Sequence, residues 1–271
     1  MALLTDPFFL CIVLILVLAV LGLPIGLSMI GGSILYLFMQ GLDMGIVAEQ
    51  FLNRMYSNYI ILAVPLFILA AEFMNIGSLS DRLLVWCNAV VGRFRGGLAL
   101  VNVLQSMVFA GMSGSAIADA AGTGKMIYSL MTRDGKYPHS FAAALTASSA
   151  VIGPIIPPSI PMVLYALVSD ASIGYLFLGG IIPGAIMGCA LALIIYYKAG
   201  KHNFPVEEPV PLRQIPRITW QSLPALMMPV VLLFCIYSGI TTPTEAAAVA
   251  AAYALVISIV LYRSISWKSF Y

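Results

Sequence analysis

Apolar runs alternate along the chain with short polar stretches rich in glycine and proline. Residues 8–23 are apolar, Pro24-Ile25-Gly26 interrupts, and 27–39 resume; two spans follow, 8–23 and 26–41, both short against the roughly 20 residues a bilayer asks for. Residues 43–57 are polar and carry Asp43, Glu49 and Arg54. A third span covers 59–75 and holds Pro65 and Glu72. From Ser78 to Arg95 the pattern changes. Leu79, Leu83, Trp86, Val90 and Phe94 share one helical face, with Asp81, Arg82, Asn88 and Arg93 off it, which predicts an amphipathic helix lying along a membrane interface. Residues 98–131 are apolar at both ends with a small, polar, glycine-rich centre, Met112 to Gly124. Residues 140–168 make a span broken near Gly153-Pro154, and 173–197 a clean one. A polar linker with four prolines, Lys198 to Arg217, leads to two last spans, 222–240 and 246–262.

The two breaks at 112–124 and 148–161 carry the candidate chemistry. A helix interrupted in apolar surroundings leaves backbone amides and carbonyls that need partners, and paired breaks of this kind point to a transporter's binding site. Pro154, Pro157 and Pro158 have no amide hydrogen, which frees carbonyls a turn earlier. Oxygens suited to a hard cation are expected from the carbonyls of Gly153, Ile156 and Pro158 and from Ser113, while Ser115, Ser149 and Ser159 are expected to face a substrate. Asp119 is an acid inside an apolar stretch, where function is the default; it helps hold the ion or the hairpin tip, or else bonds Thr123 and nearby backbone. Glu245, behind Pro243-Thr244 at a helix start, reads as a carboxylate on a helix N-terminus.

Composition narrows the class. The chain is 61% hydrophobic and only 9% charged, against about 25% charged in soluble domains, so it is an all-α polytopic membrane protein. A net charge of +2 argues against a nucleic-acid partner. Cys11, Cys87, Cys189 and Cys235 are scattered and suggest neither a metal site nor a disulfide framework. The N-terminal apolar run lacks basic residues before it and reads as a span, not a cleavable signal. If 98–131 is a re-entrant hairpin, every Lys and Arg except Arg54 and Lys125 falls on one side. The basic side is cytoplasmic, which puts the N-terminus in the periplasm. The pairs 8–41 and 222–262 then have opposite orientation, as an inverted repeat requires.

Rival readings fail on chemistry. Gly111-Met112-Ser113-Gly114 matches an intramembrane serine protease motif, but its serine needs a histidine base within reach, and His139 and His202 both lie in polar segments. Ala121 to Lys125 resembles a phosphate loop, yet Asp119 and Met126 stand where that loop needs glycine and Ser/Thr. No enzymatic activity is expected.

Three segments, Gly111-Met-Ser-Gly-Ser-Ala-Ile-Ala-Asp119, Gly153-Pro-Ile-Ile-Pro-Pro-Ser159 and Thr242-Pro-Thr-Glu-Ala-Ala-Ala248, carry a resemblance to the large membrane subunit of tripartite ATP-independent periplasmic (TRAP) transporters, the DctM-like family. The resemblance runs over essentially the whole chain. It implies an elevator-type transporter fold of the bacterial inner membrane with a re-entrant hairpin, a broken helix and an inverted repeat. It also implies Na+-coupled uptake of small organic anions such as C4-dicarboxylates or sugar acids, a small TRAP membrane subunit and a periplasmic substrate-binding protein as partners, and no organic cofactor. The alternative kept open is another ion-coupled anion transporter, or a channel, without a binding protein. The implied organisation is scaffold helices at 1–77, an interfacial helix at 78–96, half of a transport domain at 97–200, a cytoplasmic linker at 201–221, and at 222–271 the first scaffold helices of a second repeat. The family's second hairpin and second broken span have no counterpart here, so the chain is expected to supply one whole repeat and the opening of another.

Overall fold

The computed structural model describes residues 6–57, 59–76, 79–202, 204–207, 210–211 and 213–262. Ser78, Arg263 and Lys268, used above for the interfacial helix and the charge bias, lie outside them. Every regular element among the described residues is helical. Among the described residues, three helical stretches are long and apolar enough to cross a membrane, Ile173–Lys201, Ile215–Tyr237 and Pro243–Leu261, and shorter apolar helices accompany them.

The chain divides into two compact units, residues 1–59 and 60–271. In the first, α1 (Pro7–Val20) and α2 (Ile25–Met39) pack as a pair. The Asp6 carboxylate accepts from the Phe8 amide and caps α1. The two helices approach closely at Gly32, where a Cβ would stand 3.1 Å from the Cys11 carbonyl oxygen. The polar stretch after them is itself helical, α3 (Gly45–Ser57), and starts where the Asp43 carboxylate accepts from the Gly45 amide at 2.8 Å.

The second unit holds the candidate chemistry. A short 3-10 turn at Tyr59–Leu62 leads into α4 (Ala63–Ile76), which packs along α13 (Pro243–Val256). Alanines on α13, Ala247, Ala250, Ala251 and Ala254, let the two axes come close, and Phe67, Ala70 and Met74 of α4 join the same core. The amphipathic segment is α5 (Leu79–Val91), with Leu79, Leu83 and Cys87 buried against α6 (Gly97–Ser113) and α12 (Ile215–Tyr237). The helix stops at Val91, so Phe94, assigned to its apolar face above, stands 46% exposed instead.

Residues 97–132 fold as a helical hairpin. Its outgoing arm is α6; its return arm is α7 (Ala116–Asp119), a π-helical turn at Ala120–Gly124, and α8 (Lys125–Thr132). The two arms pack on each other. The span after it is broken as its prolines suggest: α9 (His139–Ala150), an irregular segment, then α10 (Ile160–Ser169). The single helix α11 (Ile173–His202) follows. The linker is shorter than its prolines suggested, because α12 starts at Ile215 with Pro216 in its first turn, where a missing amide hydrogen does no harm. Part of the linker is tied down, since Glu207 pairs with Lys136 at 2.8 Å and the Phe204 ring packs at a tilt against Tyr137 and Phe141.

Candidate functional site at the two helix breaks

The glycine-rich stretch breaks its helix at one point only. Gly114 takes a left-handed conformation, φ 60°, and ends α6, while Ser115 turns extended and caps α7, its hydroxyl accepting from the Ala118 amide at 3.3 Å. The rest of the stretch is helical. The second break is longer. After α9 the chain turns through residues 151–158, and Ser159 caps α10, its hydroxyl accepting from the Met162 amide at 3.3 Å and donating to the Pro154 carbonyl.

These two breaks touch. The Ile160 amide donates to the Gly114 carbonyl at 3.3 Å, a backbone bond from the start of α10 to the hairpin tip. A Cβ on Gly114 would overlap the Pro158 carbonyl oxygen, and one on Gly153 would stand 3.2 Å from the Ala116 amide nitrogen. Glycine at 114 therefore serves both a left-handed φ and a close backbone approach. Residues 37 to 46 positions apart in sequence thus share one junction.

The carbonyls of Gly153, Ile156 and Pro158 accept no backbone hydrogen bond among the described residues. They lie where the C-terminal ends of α6 and α9 and the N-terminal ends of α7 and α10 arrive, so free carbonyls and helix ends of both signs converge. Ser113, next in sequence to Gly114, is buried and lines the cavity described below. Asp119 is 1% exposed. One carboxylate oxygen accepts from the Thr123 hydroxyl at 2.6 Å; the other is buried with no hydrogen-bond partner among the described residues. The Ser106 hydroxyl also stands beside this carboxylate. An oxygen set of this kind fits a hard cation, and an unpaired buried carboxylate oxygen is costly until something positive or protic meets it.

Ser115 lines a cavity of about 650 Å³ between the hairpin tip, α4 and the start of α5, together with Ser113, Thr123, Asn75, Glu72 and Asp81. Among the described residues, two carboxylates and no basic side chain line it. Ser149 and Ser159, expected to face a substrate, are fully buried with their hydroxyls engaged inside the protein. Their hydroxyls sit where helix capping and interhelical bonding use them, and neither lines this cavity.

One contributor was not read from the sequence. Gly180, Gly184 and Gly188 repeat every fourth residue on α11. A Cβ at Gly180 would overlap the Ile155 carbonyl oxygen, one at Gly184 the Ile156 side chain, and one at Gly188 the Met107 side chain. This flat stripe is what lets the broken segment and α6 lie against α11. The spacing was the available signal, hidden inside a span read as featureless.

Residues 12–271 match the family model described as "Tripartite ATP-independent periplasmic transporter, DctM component". The chain belongs to this family. It is 38% identical over 250 residues to the sialic acid TRAP transporter large permease protein SiaM of Vibrio cholerae, covering 92% of this chain and 58% of that protein. Identity, span and coverage are the same with the 2,3-diketo-L-gulonate TRAP transporter large permease protein YiaN of Escherichia coli, at 38% over 250 residues. With the C4-dicarboxylate TRAP transporter large permease protein DctM of Vibrio cholerae, identity is 37% over 252 residues, 93% of this chain and 55% of the relative. The chain thus spans somewhat over half the length of these relatives, which are permeases and not enzymes.

Proposed function

We propose that this TRAP family chain is part of a sodium-coupled, elevator-type permease of the bacterial inner membrane that takes up small organic anions. The observation that supports the reading is the backbone junction of the two breaks, where the Ile160 amide meets the Gly114 carbonyl and Pro158 lies against Gly114, next in sequence to the buried Ser113. Na+ is held there by the carbonyls of Gly153, Ile156 and Pro158, by Ser113, and by Asp119 as the balancing charge. Charge at membrane depth is tolerated only when paired in this way. Ser115 faces the substrate across the adjoining cavity, while Ser149 and Ser159 hold the walls.

The charge of the cavity supplies a reason for coupling. An anion approaching Ser115 meets Glu72 and Asp81 on the cavity wall, and their repulsion is offset only once a cation sits at the tip. Substrates are carboxylates or sugar acids, the classes that the relatives' names give for those proteins. A periplasmic binding protein delivers the anion and a small TRAP membrane subunit completes the membrane assembly. In this reading the N-terminus is periplasmic, residues 1–77 and 222–271 belong to the scaffold, α5 lies along the cytoplasmic interface, and 97–200 move as half of the transport domain. The pairs α1–α2 and α12–α13 are the matching openings of inverted repeats. The test is uptake of a radiolabelled sialic acid or C4-dicarboxylate into proteoliposomes holding the complete transporter with its binding protein. Uptake is expected only with an inward sodium gradient; uptake that persists when choline replaces sodium overturns the reading.

A further inference from the structure

Below the two breaks lies a buried chain of polar side chains that supplies no ligand to the proposed ion site and reaches it only where Ser106 stands beside Asp119. Asn102, on α6, meets two other helices at once. Its amide nitrogen donates to the Thr146 hydroxyl of α9 at 2.8 Å and stands 3.7 Å from the Met131 sulfur of α8. Its carbonyl oxygen accepts from the Ser149 hydroxyl of α9 at 2.8 Å. Ser149 in turn accepts from the Ser106 hydroxyl at 3.1 Å, and Ser106 stands beside the Asp119 carboxylate. Asn102, Ser106, Thr146 and Ser149 are all buried. The bonds run in one direction, Ser106 to Ser149 to Asn102 to Thr146, so the Ser149 hydroxyl both donates and accepts.

Its position gives this chain a consequence. Ser149 lies in the last turn of α9, directly before the Gly153–Pro158 segment, and Asn102 and Ser106 lie on the arm that ends at Ser113. Asn102 is eleven residues before the tip, about 16 Å along a helix at the standard rise. It is therefore too far down to touch an ion at the tip. The hairpin arms and α9 are otherwise joined in this layer by apolar packing, in which Leu145, Ile127 and Met131 take part. Apolar packing permits sliding by a fraction of a turn; directional hydrogen bonds in a dry interior do not.

We infer that Asn102 is a positioning residue for the cation site: it fixes the register of α6, α8 and α9, and thereby the separation of Ser113 and Asp119 from the carbonyls of the broken span. This deepens the functional reading above and rests on it. Sodium affinity depends on that separation, whereas the wall bearing Ser115 is set by the local cap and not by the register.

The experiment is uptake by the complete transporter in proteoliposomes, with NaCl varied against choline chloride at constant ionic strength. Asn102→Ala is expected to raise the sodium concentration for half-maximal uptake about tenfold, the range seen when groups supporting metal ligands are removed. The half-saturating substrate concentration at saturating sodium should stay within about twofold. Asn102→Thr, which keeps a hydroxyl able to donate and accept, should recover most of the sodium affinity. If Asn102→Ala lowers the yield of protein, Thr146→Val, which keeps the side-chain volume and removes the Asn102–Thr146 bond without touching a proposed ion ligand, carries the test with a shift in the same direction of about threefold. An unshifted sodium dependence in these variants, or an equal loss of sodium and substrate affinity, overturns the positioning role while leaving sodium coupling intact. Wild-type uptake indifferent to sodium overturns both.

Discussion

Two helix–glycine–helix turns in this protein look alike in sequence and differ in use. The α1–α2 turn contains Gly22 at φ 92°, and the hairpin turn contains Gly114 at φ 60°. Nothing lies within 4 Å of a Cβ placed on Gly22, whereas one on Gly114 meets the backbone of Pro158 and Ile160. Their arms differ in the same way. No residue of α1 is buried, and Phe8, Leu16 and Val20 are exposed, a surface suited to lipid. Most of α6 is buried, including Asn102, Gln105, Ser106 and Ser113. One turn therefore only reverses the chain, while the other reverses it against a second backbone. An apolar helical hairpin acquires chemistry only where another broken segment closes on it.

The largest expected effect tests this contrast directly. A left-handed φ costs a non-glycine residue roughly 1–2 kcal/mol, so Gly22→Ala and Gly114→Ala share that penalty. Only Gly114→Ala must also push Pro158 away from the tip. Uptake should fall about 100-fold in Gly114→Ala, the scale at which small misplacements cost function, and stay within about twofold in Gly22→Ala. Equal losses in the two variants would dissolve the distinction between a turn and a junction.

A smaller effect sharpens it on α11, where neighbouring glycines differ in surroundings. Gly179 has nothing within 4 Å of a Cβ, while one on Gly180 meets the Ile155 carbonyl oxygen. Overpacking costs about 1–3 kcal/mol, so Gly180→Ala should lower the melting temperature in detergent by several degrees and reduce uptake about tenfold, since it moves the carbonyl segment itself. Gly179→Ala should raise the melting temperature slightly, because alanine is favoured over glycine in a helix by up to about 1 kcal/mol.

The smallest effect belongs to a third turn, between α12 and α13, which closes by a capping box: the Thr242 hydroxyl accepts from the Glu245 amide, and the Glu245 carboxylate accepts from the Thr242 amide at 2.7 Å. Thr242→Ala should cost about 1 kcal/mol of stability, a typical cap value, and leave the sodium dependence of uptake unchanged. A change in sodium affinity would mean that this turn also takes part in the junction.

The helices were legible because their determinants are local. Apolar runs, the Asp6 and Thr242 caps and the prolines at 154, 157 and 158 act within a turn of the positions they control. The bland reading of Glu245 as a helix-start carboxylate followed from Pro243-Thr244 alone and matches the capping box. For Asp119, the bond to Thr123 was the alternative set beside a role at the ion or hairpin tip, but the unpartnered second oxygen was not foreseen, because it depends on what packs overhead. The sequence by itself also determined that 97–132 and 139–169 would break, since glycine and proline act on their own backbone. That the two breaks should meet follows from the similar depths they reach when both enter from one side; which atoms meet was decided only by the tertiary structure. The Ile160–Gly114 bond, the burial of Ser149 and Ser159, the selection of Asn102 as a three-helix bond and the use of Gly180 as a cradle all arise from residues far apart in sequence. Their positions are set by packing across helices, which no local propensity encodes.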